Sequence, residues 1–88
     1  MTDKELLTAA AKAVNGGSWH PLTHGVPWNP LNDDGDALRM AVKLGLQIDA
    51  AAHSASAGMD KWFAQAGERD PYAATRRAIV RAAASIAT

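Results

Sequence analysis

One stretch of the sequence decides the fold: Trp28-Asn29-Pro30-Leu31-Asn32-Asp33-Asp34-Gly35-Asp36-Ala37-Leu38-Arg39-Met40-Ala41-Val42-Lys43-Leu44-Gly45-Leu46. A proline holds the residue before it in an extended conformation, so the chain enters this stretch extended. The acidic residues that follow suit a helix start, because their side chains accept hydrogen bonds from free N–H groups and favour the positive end of the helix dipole. The pattern predicts a helix over 33–44, with Asn32 or Asp33 as N-cap and Gly45 as the stop.

The apolar residues of this helix recur three and four positions apart, as on one face of an amphipathic helix. We expect that face to be buried; it consists of Ala37, Leu38, Ala41 and Val42, with Met40 and Leu44 beside it. Two basic residues, Arg39 and Lys43, are expected on the opposite face.

The same stretch resembles a signature of small uncharacterised proteins from tailed bacteriophages and proteobacterial prophages: Trp-Asn-Pro-Leu-x-Asp-Asp-Gly-Asp-Ala-Leu-Arg-(hydrophobic)-Ala-Val-Lys-Leu. Residues 1–7 and 70–84 are similar to the start and the end of the same proteins, whereas 16–27 and 47–69 match less well. The resemblance implies a phage-encoded accessory protein, and it assigns no catalytic residue.

Length and composition limit the possible classes of protein. A chain of 88 residues is expected to form one domain with a modest core, and such small domains are often stabilised by self-association. Nine basic residues balance nine acidic ones, so the basic excess of many nucleic-acid binders is missing. There is no cysteine, which excludes a disulfide framework and a cysteine nucleophile. With no signal-peptide pattern and no long apolar run, we expect a protein of the host bacterial cytoplasm without membrane contact.

Two further helices are predicted at the ends of the chain. Residues 2–15 begin with capping-box spacing between Thr2 and Glu5 and run into Asn-Gly-Gly. Residues 70–87 begin with Asp70 as cap and Pro71 at the first helical position. The stripe expected to be buried in the last helix is Tyr72, Thr75, Ile79, Ala82, Ala83 and Ile86.

Residues 46–66 are the most ambiguous part of the chain. Apolar residues alternate over 46–52, and Lys61-Trp62-Phe63-Ala64-Gln65 has aromatic strand character, which together predict a β-hairpin with a turn over 54–60. The alternative is a helix over 49–57, because alanine favours helices. We therefore predict a small single α+β domain over 1–88, in the order α-α-β-β-α, with helices packed on a short antiparallel hairpin or sheet.

Residues 16–31 form a connection rich in glycine and proline with a repeated Trp-x-Pro-Leu unit. Its two tryptophans, Trp19 and Trp28, are nine residues apart. Either both cover the edge of the core, or one stays exposed as an anchor for a partner, a position where tryptophan is enriched.

The chain offers little that indicates catalysis or metal binding. Asp33, Asp34 and Asp36 do not fit a calcium loop, and His20 and His24 lie across a proline rather than on one helical turn. Helix capping explains the acids better, so no metal or other cofactor is expected. His53 lies near two serines, but nothing resembles a nucleophile elbow. We expect a protein that is not an enzyme.

The best candidate binding surface is the arginine group Arg76, Arg77 and Arg81 of the last helix. The group is either a solvated face, or a partner for the acidic cluster at 33–36 within the chain or across a dimer, or a phosphate site beside an exposed tryptophan.

The leading functional hypothesis is an accessory protein that binds a host bacterial protein, for example to counter host defence. The alternative is a nucleotide or nucleic-acid binder that uses the arginine group. A third possibility is a homodimer or higher oligomer with a structural role in the phage particle.

Overall fold

The computed structural model describes residues 2–15, 22–23, 26–58, 61–64 and 68–87. Within these residues the chain forms three helices and five short strands. They are α1 (Asp3–Asn15), β1 (Leu22–Thr23), β2 (Val26–Pro27), α2 (Asp34–Leu44), β3 (Gln47–Asp49), β4 (Ser54–Ser56), β5 (Phe63–Ala64) and α3 (Pro71–Ala87). β1 and β2 form an antiparallel ribbon, and β3, β4 and β5 form an antiparallel sheet in that order. The predicted α+β class is confirmed.

Helix α3 is the central element of the packing. It contacts α1, α2, β4 and β5, and its contact with α1 is the most extensive between any two described elements. Most of the buried residues of α3 are alanines, whose small side chains let neighbouring backbones approach closely. They are Ala74, Ala78, Ala82, Ala83 and Ala84, together with the larger Ile79 and Val80.

The predicted capping box of α1 is present. The Glu5 carboxylate accepts hydrogen bonds from the Thr2 backbone N–H (3.2 Å) and hydroxyl (3.0 Å), and the Glu5 N–H donates to Thr2 Oγ1 (3.2 Å). These bonds, first of all the one from the Thr2 backbone, hold the pKa of Glu5 below its ordinary value of 4.5.

The lowered pKa of Glu5 predicts a pH-dependent contribution to stability. A carboxylate whose pKa is lower in the folded state stabilises fully above its unfolded pKa, and that contribution is lost as pH falls through the folded pKa. Glu5→Gln keeps an acceptor but no charge. We expect wild type to be more stable than the variant at about pH 7, and the gap to close towards about pH 3. Urea unfolding at several pH values checks this; a gap that is constant with pH would contradict it.

Helix α2 has the predicted ends. Asp33 is the N-cap and accepts a hydrogen bond from the Asp36 N–H (2.8 Å). Gly45 adopts the left-handed conformation at φ 67° and donates to the carbonyl groups of the last turn. Only glycine adopts this conformation without a steric penalty, so Gly45 ends the helix.

The predicted buried face of α2 is wrong in part. Ala37, Met40 and Ala41 are buried, whereas Leu38 is 57% exposed and Val42 is 73% exposed. Apolar residues cover more than half of this helix, so the spacing alone allows two overlapping faces. Contact with α3 selects the face that carries Met40.

The predicted stripe of α3 needs a similar correction. The cap is confirmed, since Asp70 Oδ1 accepts the Tyr72 N–H (2.9 Å). However, Tyr72 is 67% exposed and Ile86 is 48% exposed, because the small alanine side chains face the core. Thr75 is half-buried.

The predicted hairpin is wrong in its pairing. β4 lies within the expected turn at 54–60 and separates the two predicted strands, with Ile48 opposite Ala55 and Ala55 opposite Phe63. Its residues Ser54, Ala55 and Ser56 are small and buried. Because α3 covers this strand closely, only small side chains fit there, and such a strand carries no alternating apolar pattern. The alternative helix over 49–57 does not form.

Candidate functional site: a cleft between two helices

A cleft of about 480 Å³ lies between α2, the first half of α3 and the turn that joins β3 to β4. Apolar atoms make up most of its surface. The lining residues are Asp34, Ala37, Leu38, Ala50, His53, Pro71, Tyr72, Thr75, Arg76 and Ile79. Pockets of this size with mostly apolar walls and a few polar groups are typical binding sites.

Two large apolar side chains line the cleft and remain exposed. Leu38 from α2 and Tyr72 from α3 have relative exposures of 57% and 67%. Both were predicted to belong to the core, but α2 buries the face that carries Met40 and α3 buries its alanine-rich face, which leaves Leu38 and Tyr72 outside it. Clustered apolar side chains at the surface mark interaction sites more often than isolated ones do.

An ion pair connects the two helical walls. Arg76 of α3 donates through Nη1 to Asp34 Oδ1 (2.6 Å) and through Nε to the Leu31 carbonyl (2.8 Å). Its side chain is only 16% exposed. Two directed bonds from one largely buried guanidinium fix the spacing between α3 and the start of α2. The predicted pairing of the arginines with the acidic cluster therefore occurs within the chain, at Arg76.

The turn before β4 places a histidine at the third wall. The Asp49 carboxylate accepts the Ala52 N–H (3.2 Å), and His53 ends the turn at φ 50°. Left-handed backbone is uncommon for residues other than glycine, although histidine is among those that tolerate it. His53 Nδ1 lies 3.4 Å from Thr75 Oγ1.

The neighbouring bonds indicate which nitrogen of His53 carries the proton. Thr75 Oγ1 donates its single proton to the Pro71 carbonyl (2.8 Å) and can only accept from the imidazole. In the neutral ring this arrangement favours a proton on Nδ1, which then donates a long hydrogen bond to Thr75 Oγ1 (3.4 Å). Nε2 is left as an acceptor.

The carboxylates of the acidic cluster have structural partners. Asp33 caps α2, Asp34 pairs with Arg76, and Asp36 accepts from the Asn29 N–H (2.8 Å) and from Arg39 (2.7 Å). In the described part of the chain, no group of three or more acidic or histidine side chains is placed to hold a metal ion. His20 and His24 lie outside the described residues.

The arginines predicted as one surface have three different surroundings. Arg77 pairs with Asp3 of α1 (2.6 Å), and Arg81 donates to the Ala64 carbonyl (3.2 Å) while Arg76 faces the cleft. Of the two tryptophans singled out in the sequence, Trp28 is half-buried against the core, and Trp19 lies outside the described residues.

A second surface gathers cations and aromatic rings near β5. Lys61 Nζ and the Arg81 guanidinium carbon each lie 5.2 Å from the centre of the Phe63 ring. The adjacent Trp62 is 46% exposed. Such a combination suits anionic ligands with flat rings.

Sequence reasoning missed the cleft because its members come from three separated segments. Leu38 and Tyr72 were assigned to the core, and Thr75 to the same buried stripe. His53 was considered for catalysis with the serines that follow it, but the structure places it against Thr75 instead. The position of Arg76 beside Asp34 was foreseen only as one of three alternatives.

Comparisons with protein-family models, curated proteins and solved structures gave no match. No helix within the described residues is long and apolar enough to cross a membrane. The described residues thus define a small α+β protein with an apolar cleft between two of its helices.

Proposed function

We propose that this is a non-enzymatic phage or prophage accessory protein that binds a host bacterial protein in the host cytoplasm. The observation that carries the proposal is the apolar cleft bordered by Leu38 and Tyr72. The resemblance of residues 28–44 to small phage proteins supports the biological setting. Interference with host defence is the role we favour for such an interaction.

The geometry of the cleft suits protein recognition. Its helical walls are held by the Arg76–Asp34 pair, so a partner meets a formed site and loses little affinity to ordering. Exposed leucine and tyrosine side chains around a pocket can exclude water from an inserted anchor, as in binding hot spots.

The proposal predicts a host protein whose retention depends on Leu38. Immobilised wild type should retain a specific protein from proteobacterial lysate, and Leu38→Asp should lose it because a charge then borders the apolar cleft. Ile86→Asp is the matched control, since Ile86 is also exposed but does not line the cleft. Bound proteins are identified by mass spectrometry. Retention of nothing specific, or equal loss in both variants, would contradict the proposal.

The second candidate function is nucleotide or nucleic-acid binding. The cations over Phe63 and the half-exposed Trp62 favour it, because basic groups and stacking rings together bind single strands. If wild type retains material from the same lysate that absorbs at 260 nm and is displaced by salt, this function is favoured instead. A Lys61→Ala/Arg81→Ala variant, which removes both cations over Phe63, should then lose that material.

A further inference from the structure

We infer that the cleft receives an aromatic side chain that donates a hydrogen bond, a tryptophan or a tyrosine, from the partner protein. The inference rests on the proposed function, which it deepens by naming the chemistry of the partner's anchor. It is carried by the volume, the apolar walls and the polar groups of the cleft.

The volume and walls favour one large flat anchor. At about 480 Å³ the cleft lies within the usual range of about 300–1,000 Å³ for ligand pockets. Leu38 and Ile79 supply aliphatic surface, and the ring of Tyr72 supplies an aromatic partner for edge-to-face or offset stacking.

The polar groups of the cleft select a donor. With the proton on Nδ1 beside Thr75, His53 offers Nε2 as an acceptor. Asp34 is 64% exposed and has acceptor capacity beyond its bond to Arg76, as any carboxylate has. The positive charge of Arg76 is already directed to Asp34 and Leu31. An indole N–H or a phenol O–H therefore fits these acceptors, whereas a phenyl ring offers them no donor.

The backbone conformation of His53 is a second feature, independent of the polar contacts, that marks this wall of the cleft as a functional position. Its φ of 50° is uncommon for a residue other than glycine, and uncommon backbone conformations of this kind cluster at functional sites. The same φ makes His53→Gly a suitable test variant, because glycine adopts it freely and the imidazole is removed without new backbone strain.

The test is an NMR titration of ¹⁵N-labelled protein with three soluble probes. They are N-acetyltryptophanamide, its 1-methylindole derivative without the donor, and N-acetylphenylalaninamide. We expect shifts at Ala50, His53 and Thr75, with the tryptophan probe binding about fivefold more tightly than the other two, the effect of one net hydrogen bond. In His53→Gly the three affinities should become similar.

Two further variants serve as controls for the titration. Leu38→Asp should abolish binding of every probe. If His53→Gly loses its native spectrum, Thr75→Val replaces it, since valine keeps the shape but removes the hydroxyl that orients the imidazole. Equal affinities for all probes in wild type would overturn the selection of a donor.

Two outcomes distinguish a wrong anchor in the cleft from a wrong proposed function. Absence of shifts at the cleft would overturn the inference even if a host protein is retained from lysate elsewhere on the surface. Cleft resonances could move when the protein alone is diluted and stay fixed in Trp62→Ala. That result would show that Trp62 of a second copy of this chain occupies the cleft, and it would overturn a foreign partner.

Discussion

Replacing Ala10 by leucine should destabilise the fold by about 3 kcal/mol, the largest effect we expect from a single substitution. Ala10 is fully buried in α1 and belongs to the core cluster that includes the alanines of α3. A leucine there needs three more carbon atoms of space, so α1 and α3 must separate or adopt strained rotamers. A loss of this size is a large fraction of the stability of a small domain.

The matched control is Lys12→Leu on the same helix. Lys12 is exposed, and leucine and lysine have similar helix propensities, so we expect a change of at most about 0.5 kcal/mol. Urea unfolding followed by circular dichroism measures both variants. Similar stabilities for Ala10→Leu and Lys12→Leu would show that α1 does not pack closely on α3.

Asp36→Ala should cost about 2 kcal/mol. Asp36 is 8% exposed, and its carboxylate accepts the Asn29 N–H (2.8 Å), which ties the turn before α2 to the helix itself. The alanine variant leaves that partly buried N–H without its acceptor, and desolvation of an unpaired donor is the main penalty.

Two variants separate the contributions to the Asp36 effect. Arg39→Gln removes the ion pair to Asp36 (2.7 Å) and the longer one to Asp33 (3.8 Å), and leaves the Asn29 N–H bond to Asp36 in place. Because the Arg39 side chain is 72% exposed, we expect a loss below about 1 kcal/mol. Asp36→Asn keeps an acceptor for Asn29 and should lie between the other two variants. Thermal unfolding of the three proteins checks this order. An Arg39→Gln effect as large as that of Asp36→Ala would show that the ion pair dominates.

Asp36 is one of several residues in the stretch 28–44 that build the turn before α2 and the start of that helix. Asn29 accepts the Leu31 N–H through its side chain (3.0 Å), Asp33 caps α2, and Asp34 holds Arg76. Gly35 leaves room for the Arg39 guanidinium, which an added Cβ would meet at 3.0 Å. These residues build the turn and the helix start, and Asp34, Ala37 and Leu38 of the same stretch also line the cleft.

The sequence by itself determined the helix ends. The Thr2–Glu5 box, the Asp33 cap, the Gly45 stop and the Asp70-Pro71 start are all present, because each depends on groups within four residues of one another. The α+β class follows from the same local signals together with the strand character near 48 and 63.

Only the tertiary structure decided which helix faces are buried and how the strands pair. Leu38 and Tyr72 satisfy the helical period as well as the buried residues do, and packing of α3 on its neighbours left them outside the core. The strand at Ser54–Ser56 exists because α3 covers it and two strands flank it. The cleft joins residues as far apart as Leu38, His53 and Tyr72, and contacts at such separation depend on the packing of whole elements, which no local pattern encodes.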